Sequence, residues 1–273
     1  MLTHAALRAD VGATRPETGA CAWWWLGQHS FIVKTAAVTM GLDLFLTPIA
    51  GRKTPPLLTP DELPALDYVF GSHDHTDHID RPAWPVIART QPTCRFVVPS
   101  LLLPRLADEL SIPRERFIGM DDSSTFRDGG LAIRAIAAAH ERLDRDPATG
   151  RYPYLGFIID SGGVTLWHPG DTCRYEGLLP NVAACRPQLA FLPINGRDAE
   201  RLRAGCIGNM TWQEAADLAG ELNLRLAVPA HFDMFEGNTA DPRRFADYIA
   251  VKYPGTRVII PNYGTRTECW CGE

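Results

Sequence analysis

Residues 71–78 read Gly71-Ser72-His73-Asp74-His75-Thr76-Asp77-His78 and follow directly on the apolar run Tyr68-Val69-Phe70. Three imidazoles and two carboxylates fall within the six positions from His73 to His78. No packing role needs that density. Buried imidazoles lose hydration and repel one another when protonated, so a cluster of them points to cations that neutral imidazole and carboxylate can ligate. Read as an extended turn, the two-residue period puts His73, His75 and Asp77 on one side and sends His78 elsewhere. One loop is therefore expected to serve two metal ions.

Outward from that loop, short β-branched and aromatic runs recur between glycine and proline punctuation, at 22–26, 30–34, 38–46, 68–70, 96–98, 131–136, 155–159, 164–167, 189–194, 226–228 and 258–260. These predict strands. Helical patterns with start signals cover 101–110, 211–222 and 242–252, the second opening on the capping box Thr211-Trp-Gln-Glu214. Strands dominate the first half, and strands alternate with helices in the second. That order favours two sheets covered by helices over a simple doubly wound sheet. The stretches 47–64 and 141–154 are expected to be long loops.

The chain has 273 residues, 45% hydrophobic and 22% charged, and a formal net charge of -5. One domain spanning residues 1–273 is expected. An acidic balance argues against general nucleic-acid binding, since phosphate-tracking surfaces are usually basic. No apolar run approaches the roughly 18–20 residues of a membrane span, and residues 1–19 lack a signal-peptide core, so a cytoplasmic location is expected. His4 is expected in a mobile terminus. The seven cysteines are an odd count and read as reduced thiols, most of them small buried hydrophobes. Cys269 and Cys271 could bind metal or oxidise, but their spacing matches no zinc knuckle.

The H-x-H-x-D-H loop resembles that of the metallo-β-lactamase superfamily, and further residues resemble its other stations in order. They are Asp43 in Gly41-Leu-Asp-Leu, His140 after the apolar run 131–139, Asp171 in Trp167-His-Pro-Gly-Asp, and His231 in Val228-Pro-Ala-His. The resemblance implies an α/β fold, a four-layer αββα sandwich. It implies that His73, His75 and His140 hold one ion, that Asp77, His78 and His231 hold a second, and that Asp171 and a water or hydroxide bridge them. Asp43 would support the loop without binding metal. Two ions about 3.5–4 Å apart acidify a shared water and stabilise the oxyanion its attack creates. In that chemistry Asp77 and Asp171 count as catalytic as well as ligating. Imidazole-rich ligation suits zinc, while the carboxylate and water positions also admit manganese or iron.

Within the superfamily, Trp24-Trp25-Leu26-Gly27-Gln28, the 72–80 loop, Leu166-Trp-His-Pro-Gly-Asp-Thr172 and Val228-Pro-Ala-His-Phe-Asp-Met-Phe235 most resemble the L-ascorbate-6-phosphate lactonase family and related metal-dependent hydrolases. The resemblance implies a bridging hydroxide acting on a lactone-type substrate, with sugar-acid phosphates as one class. The alternatives are a phosphodiesterase of the same fold and a non-hydrolytic diiron or other metal-binding protein. The expected partner is a small anionic molecule, with a homo-oligomer left open. Expected substrate contacts are His29 in its glycine turn, His168 beside Asp171, and an anion pocket of Arg174, Arg197 and Asn238.

Overall fold

The sequence Ala20-Cys-Ala-Trp-Trp-Trp25 is apolar at every position, and its environment explains why. The computed structural model, which describes residues 4–271, makes it strand β1 (Ala20–Trp25). Trp23 and Trp25 belong to one buried cluster, and Ala22 and Trp24 to another. Successive side chains of a strand point to opposite faces, so a strand covered on both faces must be apolar throughout. Truncating one such ring to alanine costs about 3–5 kcal/mol.

The first sheet contains β1, β2 (Phe31–Thr35), β3 (Thr39–Leu42), β4 (Tyr68–Phe70), β5 (Arg95–Pro99), β6 (Phe117–Met120) and β14 (Arg266–Trp270), in the order β14-β1-β2-β3-β4-β5-β6. It is antiparallel from β14 to β3 and parallel from β3 to β6. The second sheet contains β7 (Thr125–Asp128), β8 (Leu131–Ala137), β9 (Leu155–Ser161), β10 (Val164–His168), β11 (Leu189–Pro193), β12 (Leu226–Ala230) and β13 (Arg257–Val258). Its order is β13-β12-β11-β10-β9-β8-β7, parallel at the β13 end and antiparallel at the β7 end.

Between the sheets lie Trp23, Phe31, Phe70, Phe157 and Phe191. The outer face of the first sheet is covered by α1 (His4–Ala13), α2 (Trp84–Thr90) and α3 (Leu103–Leu110) through Leu7, Val11, Trp84, Ile87 and Leu106. Helices α4 (Leu178–Ala183), α6 (Trp212–Glu221) and α7 (Pro242–Lys252) add Leu178, Val182, Leu218, Phe245 and Ile249 to the other cluster. A short α5 (Ala199–Arg203) buries no residue. The architecture is a four-layer αββα sandwich. Among the described residues, no helix is long and apolar enough to cross a membrane.

The expected strand at 38–46 stops at Leu42. Asp43 turns the chain with φ 43° while its N–H donates to the Phe70 carbonyl at 3.0 Å. His4 opens α1, whose Leu7 and Val11 are buried, and its Nδ1 lies 3.1 Å from Glu62 Oε2, so the expectation of a mobile terminus does not hold at His4. The capping box is formed as expected, with Thr211 accepting from the Glu214 N–H and Glu214 accepting from the Thr211 N–H.

Candidate metal centre

All the stations of the candidate site lie at strand ends on one rim of the sandwich. The 73–78 loop leaves the end of β4, His140 follows β8, Asp171 follows β10, and His231 is the first residue after β12. The loop is not extended. The His75 N–H donates to the His73 carbonyl, and the His78 and Ile79 N–H groups donate to the His75 carbonyl, at 2.8–3.1 Å. This compact turn moves Asp77 to the side of His78, not to that of His73 and His75. His73, His75 and His140 each bring a ligand atom within 4.8 Å of the others, and so do Asp77, His78 and His231. A further set, His73, His78 and Asp171, draws on both groups and puts Asp171 between them.

Two devices hold these side chains. Gly170, at φ 62°, lets the Asp171 turn approach the loop so closely that a Cβ there would stand 2.7 Å from Ser72 Cβ. The second is the buried carboxylate of Asp43, which accepts from Ser72 N at 2.8 Å, Ser72 Oγ at 2.7 Å, His78 Nδ1 at 2.6 Å and His168 Nε2 at 2.8 Å. With its Nδ1 engaged there, His78 presents Nε2 to Asp171 Oδ1 at 3.3 Å and to Asp77 Oδ2 at 3.6 Å. A partner on one ring nitrogen fixes which nitrogen is offered to a metal.

The residues fit divalent cations. Nε2 of His78 and Oδ1 of Asp171, together with both ring nitrogens of His140, are buried without a hydrogen-bond partner. Each such atom costs about 1–3 kcal/mol, so several converging in one place call for a ligand. The electrostatics agree. Burial lowers the His231 pKa, but Asp171 and Asp77 outweigh it and lift it to about 9, whereas burial pushes His140 down to about 4. The two acids thus draw positive charge into a place where imidazoles otherwise stay neutral. Imidazole and carboxylate donors without thiolate are the set that zinc, manganese or iron accepts.

The site opens into a cavity of about 650 Å³ lined by Gln28, His75, Asp77, His140, Asp171 and His231 on its floor and by Asp198, Glu200, Arg201, Glu236 and Asn238 among its walls. Of the expected substrate contacts, Asn238 lines this cavity. His29 and His168 do not, because both are fully buried beneath the cluster. The ring of His29 stands 4.4 Å from that of His168, with Nδ1 3.6 Å from Asp171 Oδ1, and burial together with His168 pushes its pKa down to about 4. Arg174 lies outside the cavity and pairs with Glu221. Arg197 donates to both carboxylate oxygens of Glu214 at 2.7 Å and faces a smaller adjoining cavity.

Sequence reasoning missed Gln28 as a site residue. Its Nε2 donates to Asp77 Oδ2 at 2.9 Å and stands 3.1 Å from His231 Nε2, while its carbonyl accepts from the His231 N–H at 2.9 Å. Gln28 and His231 both adopt positive φ, 51° and 57°. The signal available was the preceding glycine between two strands. Tyr154, whose ring lies 5.2 Å from that of His140, was also missed.

Comparison with known proteins agrees with this fold. A metal-dependent hydrolase of Myxococcus xanthus, of the group designated UPF0173, is 25% identical over 269 residues, covering 96% of this chain and 88% of the relative. One of the same description from Thermoplasma acidophilum is 28% identical over 224 residues, covering 81% of this chain and 86% of its own. The fold is shared with a metallo hydrolase from the hyperthermophilic archaeon Ignicoccus hospitalis, with a TM-score of 0.72 and 21% identity over 92% of this chain and 98% of that one. The model of the beta-lactamase superfamily domain matches residues 40–232, a span that carries every candidate ligand from His73 to His231, and the chain belongs to that family.

Proposed function

We propose that the chain is a metal-dependent hydrolase that holds two divalent ions and opens a lactone-type carbonyl. The observation that carries this reading is the pair of ligand sets joined through Asp171 on the floor of one cavity. Relatives described as metal-dependent hydrolases support the reaction class. When bound, such ions supply a water acidified to hydroxide near neutral pH and a polarised carbonyl oxygen. His73, His75 and His140 would hold one ion, Asp77, His78 and His231 the other, with Asp171 serving both.

The rest is the work of this chain's own groups. Asp43 and Ser72 orient the rings of His78 and His73, and Gln28 keeps the Asp77 carboxylate turned into the site. Asn238, held through its Oδ1 by Asn195 Nδ2 at 2.8 Å, contributes an amide to the cavity wall that can orient a substrate. The wall's charged side chains are Asp198, Glu200, Glu236 and Arg201, and Arg201 already pairs with Asp198. An anionic substrate group would therefore rely on the metal centre and on Arg201 for its counter-charge, not on Arg174 or Arg197. This acidic wall favours a carbonyl substrate over a phosphodiester, whose hydrolysis in this fold needs basic groups around the phosphate.

The test is a screen of lactones, phosphodiesters and β-lactams against zinc-, manganese- and iron-loaded protein, with metal content measured in parallel. Turnover of lactones above the other two classes supports the reading. Turnover confined to phosphodiesters, or metal content of at most one ion per chain at full activity, refutes it.

A further inference from the structure

Away from the metal centre, at the opposite end of β1 from Gln28, three cysteines meet inside the protein. Cys21 on β1 and Cys269 on β14 are direct cross-strand partners, and Cys271 lies two residues further along on the same side. Their relative exposures are 1%, 7% and 1%. The sulfurs of Cys21 and Cys269 are 3.1 Å apart, those of Cys269 and Cys271 are 3.8 Å apart, and all three lie within 4.8 Å of one another. The first separation is shorter than the roughly 3.5–4.0 Å at which even two carbon atoms rest most favourably, and sulfur is larger. The three thiols thus face one another through S–H···S contacts and not as separately packed hydrophobes.

We infer that Cys21, Cys269 and Cys271 form a second metal site, a three-thiolate cradle for Cu(I). Three sulfurs bound at about 2.3 Å to a common ion in their own plane stand about 4 Å apart, which these positions reach with shifts of under about 1 Å. Among the described residues no His, Asp or Glu joins the group, so the donor set is sulfur alone and three-coordinate. Thiolates select soft cations such as Cu(I) over the hard ions that carboxylates and water favour. Each thiol that ligates gives up its proton. The Arg225 guanidinium stands at the site, with Nη1 3.2 Å from the Cys271 carbonyl oxygen, and offsets part of the negative charge.

The cradle has a structural consequence. Cys271 is held by its own N–H to the Gly19 carbonyl at 2.7 Å, and its carbonyl accepts from Gln188 Nε2 at 2.6 Å, one residue before β11. An ion bound to all three sulfurs would tie edge strand β14 to β1 and brace the first sheet against the second.

The experiment uses full-length reduced protein with its histidine centre filled by zinc, titrated anaerobically with Cu(I) buffered by a competing chelator. The expected result is one tightly held copper per chain with a sulfur-only coordination shell by X-ray absorption, raised thermal stability, and unchanged lactone turnover. Cys21→Ser and Cys271→Ser should each abolish that uptake. A copper shell containing nitrogen or oxygen in the wild type overturns the proposal without reference to any variant. So does equal uptake by folded serine variants. Loss of two titratable thiols on air exposure in the absence of metal, reversed by reductant, would make the cluster a disulfide and overturn it as well.

Discussion

Replacing Asp43 by asparagine should weaken both the fold and the metal centre. At φ 43° the position is left-handed, a conformation asparagine tolerates as well as aspartate, so the substitution leaves the backbone unstrained. Four donors converge on the two carboxylate oxygens, only one of them, Ser72 N, on Oδ1. The cheaper placement of the amide keeps its oxygen at Oδ2 and turns its NH₂ towards the Ser72 N–H. That leaves two buried donor groups facing each other unpaired, the Ser72 N–H and the new amide NH₂, at about 1–3 kcal/mol each, and makes three charge-assisted bonds neutral at about half their strength. Part of this is returned because a buried charge is removed, so a net loss of about 2–4 kcal/mol is expected, read by denaturant unfolding in the presence of chelator. With His78 less firmly oriented, metal affinity should fall about 10–100-fold, measured by competitive titration. The pH dependence has a definite sign. Burial would raise the Asp43 pKa, but His168 and His78 outweigh it and hold the carboxyl well below its ordinary 3.8. A depressed carboxyl contributes fully above its unfolded value and loses that contribution as pH falls through the folded one. The stability gap between wild type and variant should therefore be level from about pH 5 to 8 and shrink below about pH 4. A variant with unchanged metal affinity and a stability gap under about 0.5 kcal/mol would refute the reasoning.

Asp171→Asn should weaken the binding of both ions, because its carboxylate stands between the two ligand sets; elemental analysis showing one ion retained at wild-type affinity would remove it from the shared position. His140→Ala and His231→Ala should each lower turnover by more than about 100-fold while costing the metal-free fold only about 1–2 kcal/mol. Wild-type turnover in either variant would take that residue out of the site. Gly156→Ala should destabilise by about 1–3 kcal/mol and lower metal affinity, since a Cβ there meets the Pro169 backbone at 2.7–2.9 Å and pushes on the turn that carries Asp171. Arg197→Ala should cost at most about 1 kcal/mol, as expected for a partly exposed ion pair, and should change KM equally for phosphorylated and neutral lactones; a selective rise for the phosphorylated one would restore Arg197 to recognition.

Most of the strands were legible in the sequence because a sheet buried on both faces demands apolar runs, as β1 and β11 show. Of those missed, β6 (Phe-Ile-Gly-Met) is apolar but only four residues long and broken by a glycine, while β7 (Thr-Phe-Arg-Asp) and β14 carry mixed patterns. Strand β14 is Arg-Thr-Glu-Cys-Trp because it is an edge strand with its outer side chains in water, and α5 is polar because it buries nothing. The 73–78 loop was legible for a different reason: its chemistry is concentrated in six consecutive positions, so no folding was needed to bring the ligands together.

By itself the sequence determined what is local: the ligand-dense loop, the apolar strands, the Thr211–Glu214 cap, and, through resemblance to a known family, the order of His140, Asp171 and His231. Tertiary structure alone decided which distant groups meet. Arg197 and Arg174 looked available for a substrate until the fold laid α6 beside them and gave them Glu214 and Glu221. Gln28 became part of the site only when the β1–β2 turn reached His231, and Cys21 met Cys269 across 248 residues through the pairing of β14 with β1. The physical reason is range. Propensity, capping and burial period act over a few residues, whereas a contact between remote side chains depends on strand order and register, which the whole set of packed layers fixes together.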